Sequence, residues 1–236
     1  LNFKRYIDRF SLSDEGKEEK IKQKKLKIID KSLDEVIELI KKQKQMIIYL
    51  NTKQDEKQDK IIKEKISSIT VYDNLSKEAI FLNFNEEKEV IKLKGILEDK
   101  DIKKIGINFT KMYILLKQLD ITLDGIYYDI AIASYILNPS NNKLELENLI
   151  DRFLDIDINE FIDKQDSKQI NLFDEIPSTE QDREKCAEYC RAISEIKDIT
   201  QKKLEEINAL KLFNEIDMPT VEVLSDMQWN GMYVDK

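Results

Sequence analysis

Histidine is absent from this 236-residue chain, and that one count decides much of its chemistry. Without it no Ser-His-Asp triad, Cys-His dyad or His-ligated zinc site can be assembled. Carboxylates remain for acid–base or metal-assisted work, and 47 Asp and Glu residues supply them. Asp55, Glu56 and Asp59 follow an apolar run, and Asp129 begins a segment of helical spacing. The first three stand in a Lys/Gln/Asp-rich stretch that reads most simply as a solvated loop. Asp129 reads as a helix cap, since a short acidic side chain there accepts from the free N–H groups of the first turn. Cys186 and Cys190 are four residues apart, about one helical turn. With no histidine and no third cysteine they cannot complete a metal ligand set, so they read as buried, inert thiols. Tyr127, Tyr128 and Tyr135 could stack on bases, but packing is the simpler reading, and Trp229 reads as a domain-contact residue. The five glycines are scattered. Phosphate-cradling loops need them clustered, which excludes P-loop and Rossmann fingerprints.

These residues must be positioned by a folded unit. Hydrophobic residues make up 41% of the chain and charged residues 36%, enough apolar material for a core. The net charge is 39 − 47 = −8, and lysines alternate with acids, unlike the basic stripe of a dedicated nucleic-acid binder. Apolar runs are short, so no transmembrane helix is expected, and the first residues have no secretory h-region. With two cysteines and no disulfide framework, the chain reads as intracellular.

Periodicity places a short amphipathic helix at the start, then a polar connector. A helix over 32–43 follows, with Ser32 and Glu35 spaced as a capping box. MIIYLNT (46–52) reads as a central strand, and 66–74 and 79–84 as two more strands of an antiparallel meander. A helix over 86–99 rests on Val90, Leu93 and Leu97. Residues 103–109 read as a strand, 110–120 as a helix, and 125–139 as extended, then helical up to Asn138-Pro139. Another helix covers 144–154. A loop over 163–177 precedes a long helix capped by Ser178 or Thr179, whose apolar stripe runs from Cys186 to Leu210. Residues 213–230 form a last amphipathic element, ended by Gly231. Strands alternating with helices after a meander argue an α/β fold with a mixed sheet.

Three segments resemble bacterial family A DNA polymerases, the DNA polymerase I type. IKKIGINFTKMYILLKQLDITLDGIYYDIAIASYILNPSNNKLELENLIDRFL (102–154) is similar to the centre of the family's 3′–5′ exonuclease domain. EIDMPTVEVLSDMQWNGMYVD (215–235) resembles the entry to its polymerase domain, and LNFKRYIDRF (1–10) the stretch after its 5′-nuclease domain. The resemblance implies a ribonuclease H-like (DnaQ-type) 3′–5′ exonuclease fold: a mixed central sheet flanked by helices, with a helical C-terminal extension. It divides the chain into a connector (1–28), an exonuclease-like domain (29–212) and the start of a polymerase domain (213–236).

The resemblance also implies a mechanism in which two divalent metals about 3.5–4 Å apart activate water and stabilise the leaving oxygen. Such hard cations take carboxylate oxygens. In the family these come from Asp-x-Glu on the first strand, an Asp after Gly-x-Asn, and the Asp of a Tyr-x-x-x-Asp helix. Carried over, the first pair falls on Leu50 and Thr52. Asn108 matches, but the second Asp falls on Met112. The third motif falls on Cys186 and Cys190, and sliding it to Tyr189 puts Ile193 at the acid. All four carboxylates are missing. The chain therefore reads as a degenerate exonuclease-like domain, a structural platform within a template-directed DNA polymerase of replication and repair. The fragment has no metal or cofactor of its own, and Mg²⁺ is expected only for the parent polymerase domain. Its expected partners are that polymerase domain, within the same polypeptide, and DNA through the full-length protein, with no membrane. Its expected location is the bacterial cytoplasm, at the nucleoid in use. The alternatives are an active nuclease using displaced carboxylates such as Asp55 or Asp129, and a non-catalytic single-stranded DNA-binding module. Loss of charge repulsion further predicts that Leu50, Met112 and Cys190 meet and close the old cleft.

Overall fold

The computed structural model describes residues 26–54, 62–84, 86–156 and 179–231. Strand β1 (Lys27–Ile29) is followed by helix α1 (Leu33–Gln43). Ser32 caps α1 and Glu35 returns a bond to the Ser32 backbone, so the capping box forms, and Lys44 ends the helix at φ 51°. The chain then runs straight into β2 (Gln45–Gln54), β3 (Glu64–Asp73) and β4 (Glu78–Asn83). The β3–β4 turn is held by Asp73, whose carboxylate accepts from the Leu75 N–H at 2.9 Å and the Ser76 hydroxyl at 2.8 Å.

The expected helix over 86–99 is instead a 3-10 helix (Glu87–Leu93) running into a single turn, α2 (Lys94–Leu97). Its buried residues Val90, Leu93 and Ile96 recur every third position, the spacing that a three-residue turn stacks on one side. Strand β5 (Lys103–Gly106) stops three residues earlier than expected. Asn108, at φ 55°, turns the chain and starts α3 (Phe109–Lys117). Strand β6 (Ile126–Asp129) leads into α4 (Ile130–Leu137), which ends before Pro139, and α5 (Leu146–Leu154) follows. Gly125, at φ +67°, is required where the chain enters β6, because a Cβ there would lie 2.5 Å from the Ile102 carbonyl oxygen. The long helix α6 (Thr179–Glu206) ends before Ile207, which is exposed rather than part of its stripe. A short helix α7 (Leu210–Leu212), a π turn (Phe213–Asp217) and α8 (Met218–Asn230) complete the fold, with Gly231 closing α8. The expected opening helix and connector, the loop over 163–177 and the Ser178 cap lie outside the described residues.

The six strands form one sheet in the order β1-β4-β3-β2-β5-β6. The β2–β3–β4 meander is antiparallel, while β1–β4, β2–β5 and β5–β6 are parallel. Strand β2 lies inside the sheet, as its apolar run demands. One face is covered by α1, α2, α3 and Val221 of α8, with Ile48, Ile69 and Met112 at its heart. The other is covered by α4, α5 and α6 with Phe213 and Met218, around Ile47, Tyr72, Ile105 and Ile193. Side chains alternate along a strand, so neighbouring β2 residues belong to different cores.

Candidate functional site

Strand β2 carries the first two family positions, and its alternation decides what each can reach. Leu50 lies opposite Ile69 on β3 and packs into the aliphatic core with Ile48 and Met46. Tyr49, one residue earlier, lies opposite Thr70 and packs into the core under α6. Met112 is buried on α3 in the same core as Leu50. Cys190 is buried on α6, on the far side of the sheet, where its thiol donates to the Ile47 and Thr70 carbonyl oxygens at 3.3 and 3.4 Å. The fold thus brings Leu50 and Met112 together and keeps Cys190 apart, so these three side chains do not close one cleft. The physical reason is strand parity: the α6 face of β2 presents Ile47 and Tyr49, not Leu50.

What surrounds Cys190 is more polar than the opposite core. Tyr49 stands edge-on to Tyr189 at 5.1 Å between ring centroids, and the Tyr189 hydroxyl donates to Glu147 at 2.6 Å. The Ser68 and Thr70 hydroxyl oxygens are buried without a hydrogen-bond partner. Burial raises the Cys186 thiol to about 11 and pushes Cys190 up as well, so neither is a thiolate at neutral pH. Ile193 is buried in the same core.

Thr52 lies at the other end of β2. It donates its hydroxyl hydrogen to the Glu64 carboxylate of β3, which also meets the Lys111 ammonium of α3 at 2.6 Å. Burial pushes Glu64 up, but Lys111 and Thr52 together outweigh it and hold the carboxyl below its ordinary value. This link joins β2, β3 and α3 next to Met112. Nothing local in the sequence marks it, since Glu64 and Lys111 meet only through the tertiary fold.

Asp129 caps α4, as its position implied, and does more. One carboxylate oxygen accepts from the Ala131 N–H at 2.8 Å, the other from the Phe109 N–H at 2.9 Å, so one buried side chain ties the starts of α4 and α3. Burial pushes its pKa up against the pull of these N–H groups. Asp55, Glu56 and Asp59 lie outside the described residues. Among the described residues no group of three or more Cys, Asp or Glu side chains stands ready for a metal ion. The donor set at the family positions also does not suit a hard cation: two aliphatic or thioether side chains, one hydroxyl and one protonated thiol. Of the three tyrosines, Tyr128 is buried and its hydroxyl shares a hydrogen bond with Thr200 at 3.0 Å, whereas Tyr127 and Tyr135 are exposed.

The sheet order, the β2–α3 junction and the α6 cover are now compared with known proteins. Residues 55–162 match the family model described as DNA polymerase I, ribonuclease H-like domain. The chain carries a 3′–5′ exonuclease-like domain of the DNA polymerase I type. The DNA polymerase I of Borreliella burgdorferi is 30% identical over 154 residues, covering 64% of this chain and 16% of that protein. That of Bacillus subtilis is 27% identical over 151 residues, covering 63% and 16%. The chain thus spans about a sixth of the length of these relatives. Among solved structures, the Pol1 POL domain from M. smegmatis, in complex with DNA primer-template and dNTP, matches at a TM-score of 0.67. It is 15% identical and covers 89% of this chain and 33% of that one. Brucella melitensis NrnC with bound Mg²⁺ matches at 0.59, with 16% identity, over 90% and 98%. At these identities the structural matches show the fold of the exonuclease-like domain. Among the described residues no helix is long and apolar enough to cross a membrane.

Proposed function

We propose that this exonuclease-like domain is a structural platform of a bacterial DNA polymerase I, cytoplasmic and without nuclease chemistry of its own. In this reading the domain holds neighbouring parts of the polymerase, DNA reaches it through the full-length protein, and Mg²⁺ serves the polymerase portion alone. The support is the side-chain chemistry at the ligand positions. Leu50, Thr52, Met112 and Cys190 offer no carboxylate, and moving the strand register by one residue substitutes Tyr49 and Asn51, which offer none either. Met112 and Cys190 are moreover enclosed in opposite cores, where a bare cation would find no oxygen cage. Asp129, the one displaced acid within the described residues, is occupied by two backbone N–H groups.

Incubating the chain with a single-stranded oligonucleotide and Mg²⁺ or Mn²⁺ tests the reading. No mononucleotide should accumulate. Steady release, abolished by Asp55→Asn or Asp129→Asn, would establish a nuclease with displaced carboxylates instead.

A further inference from the structure

Helices α7 and α8 and the π turn between them are apolar on two sides. The inner side is fully engaged: Phe213, Met218 and Val221 enter the two cores. Asp226 accepts from the Tyr113 hydroxyl at 2.9 Å and from Lys117 at 2.5 Å, and Lys117 also lies over the Trp229 ring at 5.5 Å. The outer side carries Leu212, Ile216, Val223, Leu224 and Met227, all between 44% and 63% exposed. Their spacings of four, seven, one and three residues keep them on one flank of the helical segment. A helix apolar on both flanks is one that expects cover on both. A shallow depression between Val223, Met227 and Gly231 adds relief to this surface.

We propose that this outer flank is the docking surface for the polymerase portion of the same polypeptide. The proposal rests on the platform reading above and names where that platform bears its load. Two observations choose the occupant. First, the fold makes up 33% of the M. smegmatis polymerase chain, so two-thirds of such a chain lies outside it and is available as cover. Second, the charges on residues 210–230 are Lys211 against Glu215, Asp217, Glu222 and Asp226, an acidic rim. Acidic side chains repel phosphate and disfavour direct contact with DNA. They suit an apolar protein face flanked by Lys or Arg, whose charges would complement the rim.

The test uses the full polypeptide its gene encodes, with single cysteines introduced at two sites that are both exposed in this domain: Met227→Cys on the flank and Leu75→Cys in the β3–β4 turn. The native thiols are buried and serve as the slow background. Cys at 227 should react with a maleimide at least about 30-fold more slowly than Cys at 75, because docking must open locally before the thiol is reached. Met227→Glu should accelerate protease release of the domain, while its far-ultraviolet dichroism stays that of the parent. Equal labelling rates at the two sites would overturn the proposal. So would protection that rises with protein concentration, which assigns the flank to a second copy, or protection that appears only on adding an oligonucleotide. Mononucleotide release by the same preparation would defeat the inactive-platform reading and leave the docking result standing.

Discussion

The two faces of the sheet are built from alternate residues of the same strands, yet they are chemically unlike. On the α1–α3 face, β2 and β3 contribute Met46, Ile48, Leu50, Ile66, Ile69 and Val71, and Met112 completes an aliphatic core. On the α6 face the same strands contribute Tyr49, Tyr72 and the unpartnered hydroxyls of Ser68 and Thr70, under Cys186, Tyr189 and Cys190. The first face gains its stability from burial of branched side chains, about 1.5–3 kcal/mol for each one fully buried. The second spends part of that gain on desolvating polar atoms. One strand can therefore be forgiving of a polar group on one side and intolerant of it on the other.

The largest expected effect breaks this contrast by moving one acid across it. Leu50→Asp puts a carboxyl into the aliphatic core and should cost about 3–5 kcal/mol at pH 8, whereas Asn51→Asp should cost about 1 kcal/mol or less. The buried Asp would have its pKa raised above the unfolded value, so the stability of the variant should fall as pH rises through the folded pKa. Thermal melts should thus show a larger deficit at pH 8 than at pH 5. A Leu50→Asp protein that melts with the parent at both pH values would mean that this side of β2 is open to water.

Lys104 is the exception on the aliphatic side. It lies opposite Met46 in the β2–β5 pairing, is buried, and donates to the Asp99 carbonyl oxygen at 2.5 Å. Burial lowers its pKa from 10.5 to about 8, against the pull of Asp99 and Asp124. Between pH 8 and 10.5 the unfolded chain binds more protons than the folded one, so stability should rise with pH across that window. Relative to Lys104→Met, the parent should gain about 3 kcal/mol over it. Chemical denaturation at pH 7.5, 9 and 10.5 checks the slope, and parallel curves for parent and variant would mean the ammonium is solvated.

Much of this architecture was legible in the sequence. The capping box of α1, the apolar run of β2, the meander and the Asn138-Pro139 stop are all local patterns, and each sits where periodicity put it. Strand β1 was not, since three residues in a lysine-rich stretch carry no period. The 3-10 helix over Glu87–Leu93 was read as α because its apolar spacing of three also suits an α-helix. The site was legible in residue type and not in arrangement. Which face of the sheet α6 covers is settled by long-range packing, so Leu50 and Cys190 could be assigned to one motif while standing in different cores. Lys104 shows the same limit, because in sequence it is one more lysine among many.

On the α6 face the contrast can be sharpened by removing a polar atom instead of adding one. Thr70 Oγ1 is buried with no partner among the described residues. Thr70→Val keeps the shape of the side chain and removes the desolvation cost, so it should stabilise by about 1 kcal/mol. A melt showing Thr70→Val to be less stable than the parent would mean that the hydroxyl is bonded, for instance to an internal water, and that this face is better satisfied than it looks.

The smallest expected effect lies at the rim where the two faces meet the end of the sheet. Lys111 and Glu64 are about a third and a quarter exposed, so water screens their attraction, and Lys111→Met should cost about 0.2–1 kcal/mol at low salt. Its signature is its dependence on conditions more than its size. Glu64 is held below its ordinary value, so its contribution should be present above the unfolded pKa and lost as pH falls through the folded one. The difference between parent and Lys111→Met should therefore shrink from pH 7 toward pH 3, and shrink again in about 1 M salt. Thr52→Val should act in the same direction, because it removes the hydroxyl that also favours the charged carboxylate. A double-mutant cycle between Glu64→Gln and Lys111→Met isolates the pair from the packing of the lysine stem. A coupling that survives 1 M salt unchanged would show the pair to be shielded from water, and would place it with the interior of the sheet rather than with its rim.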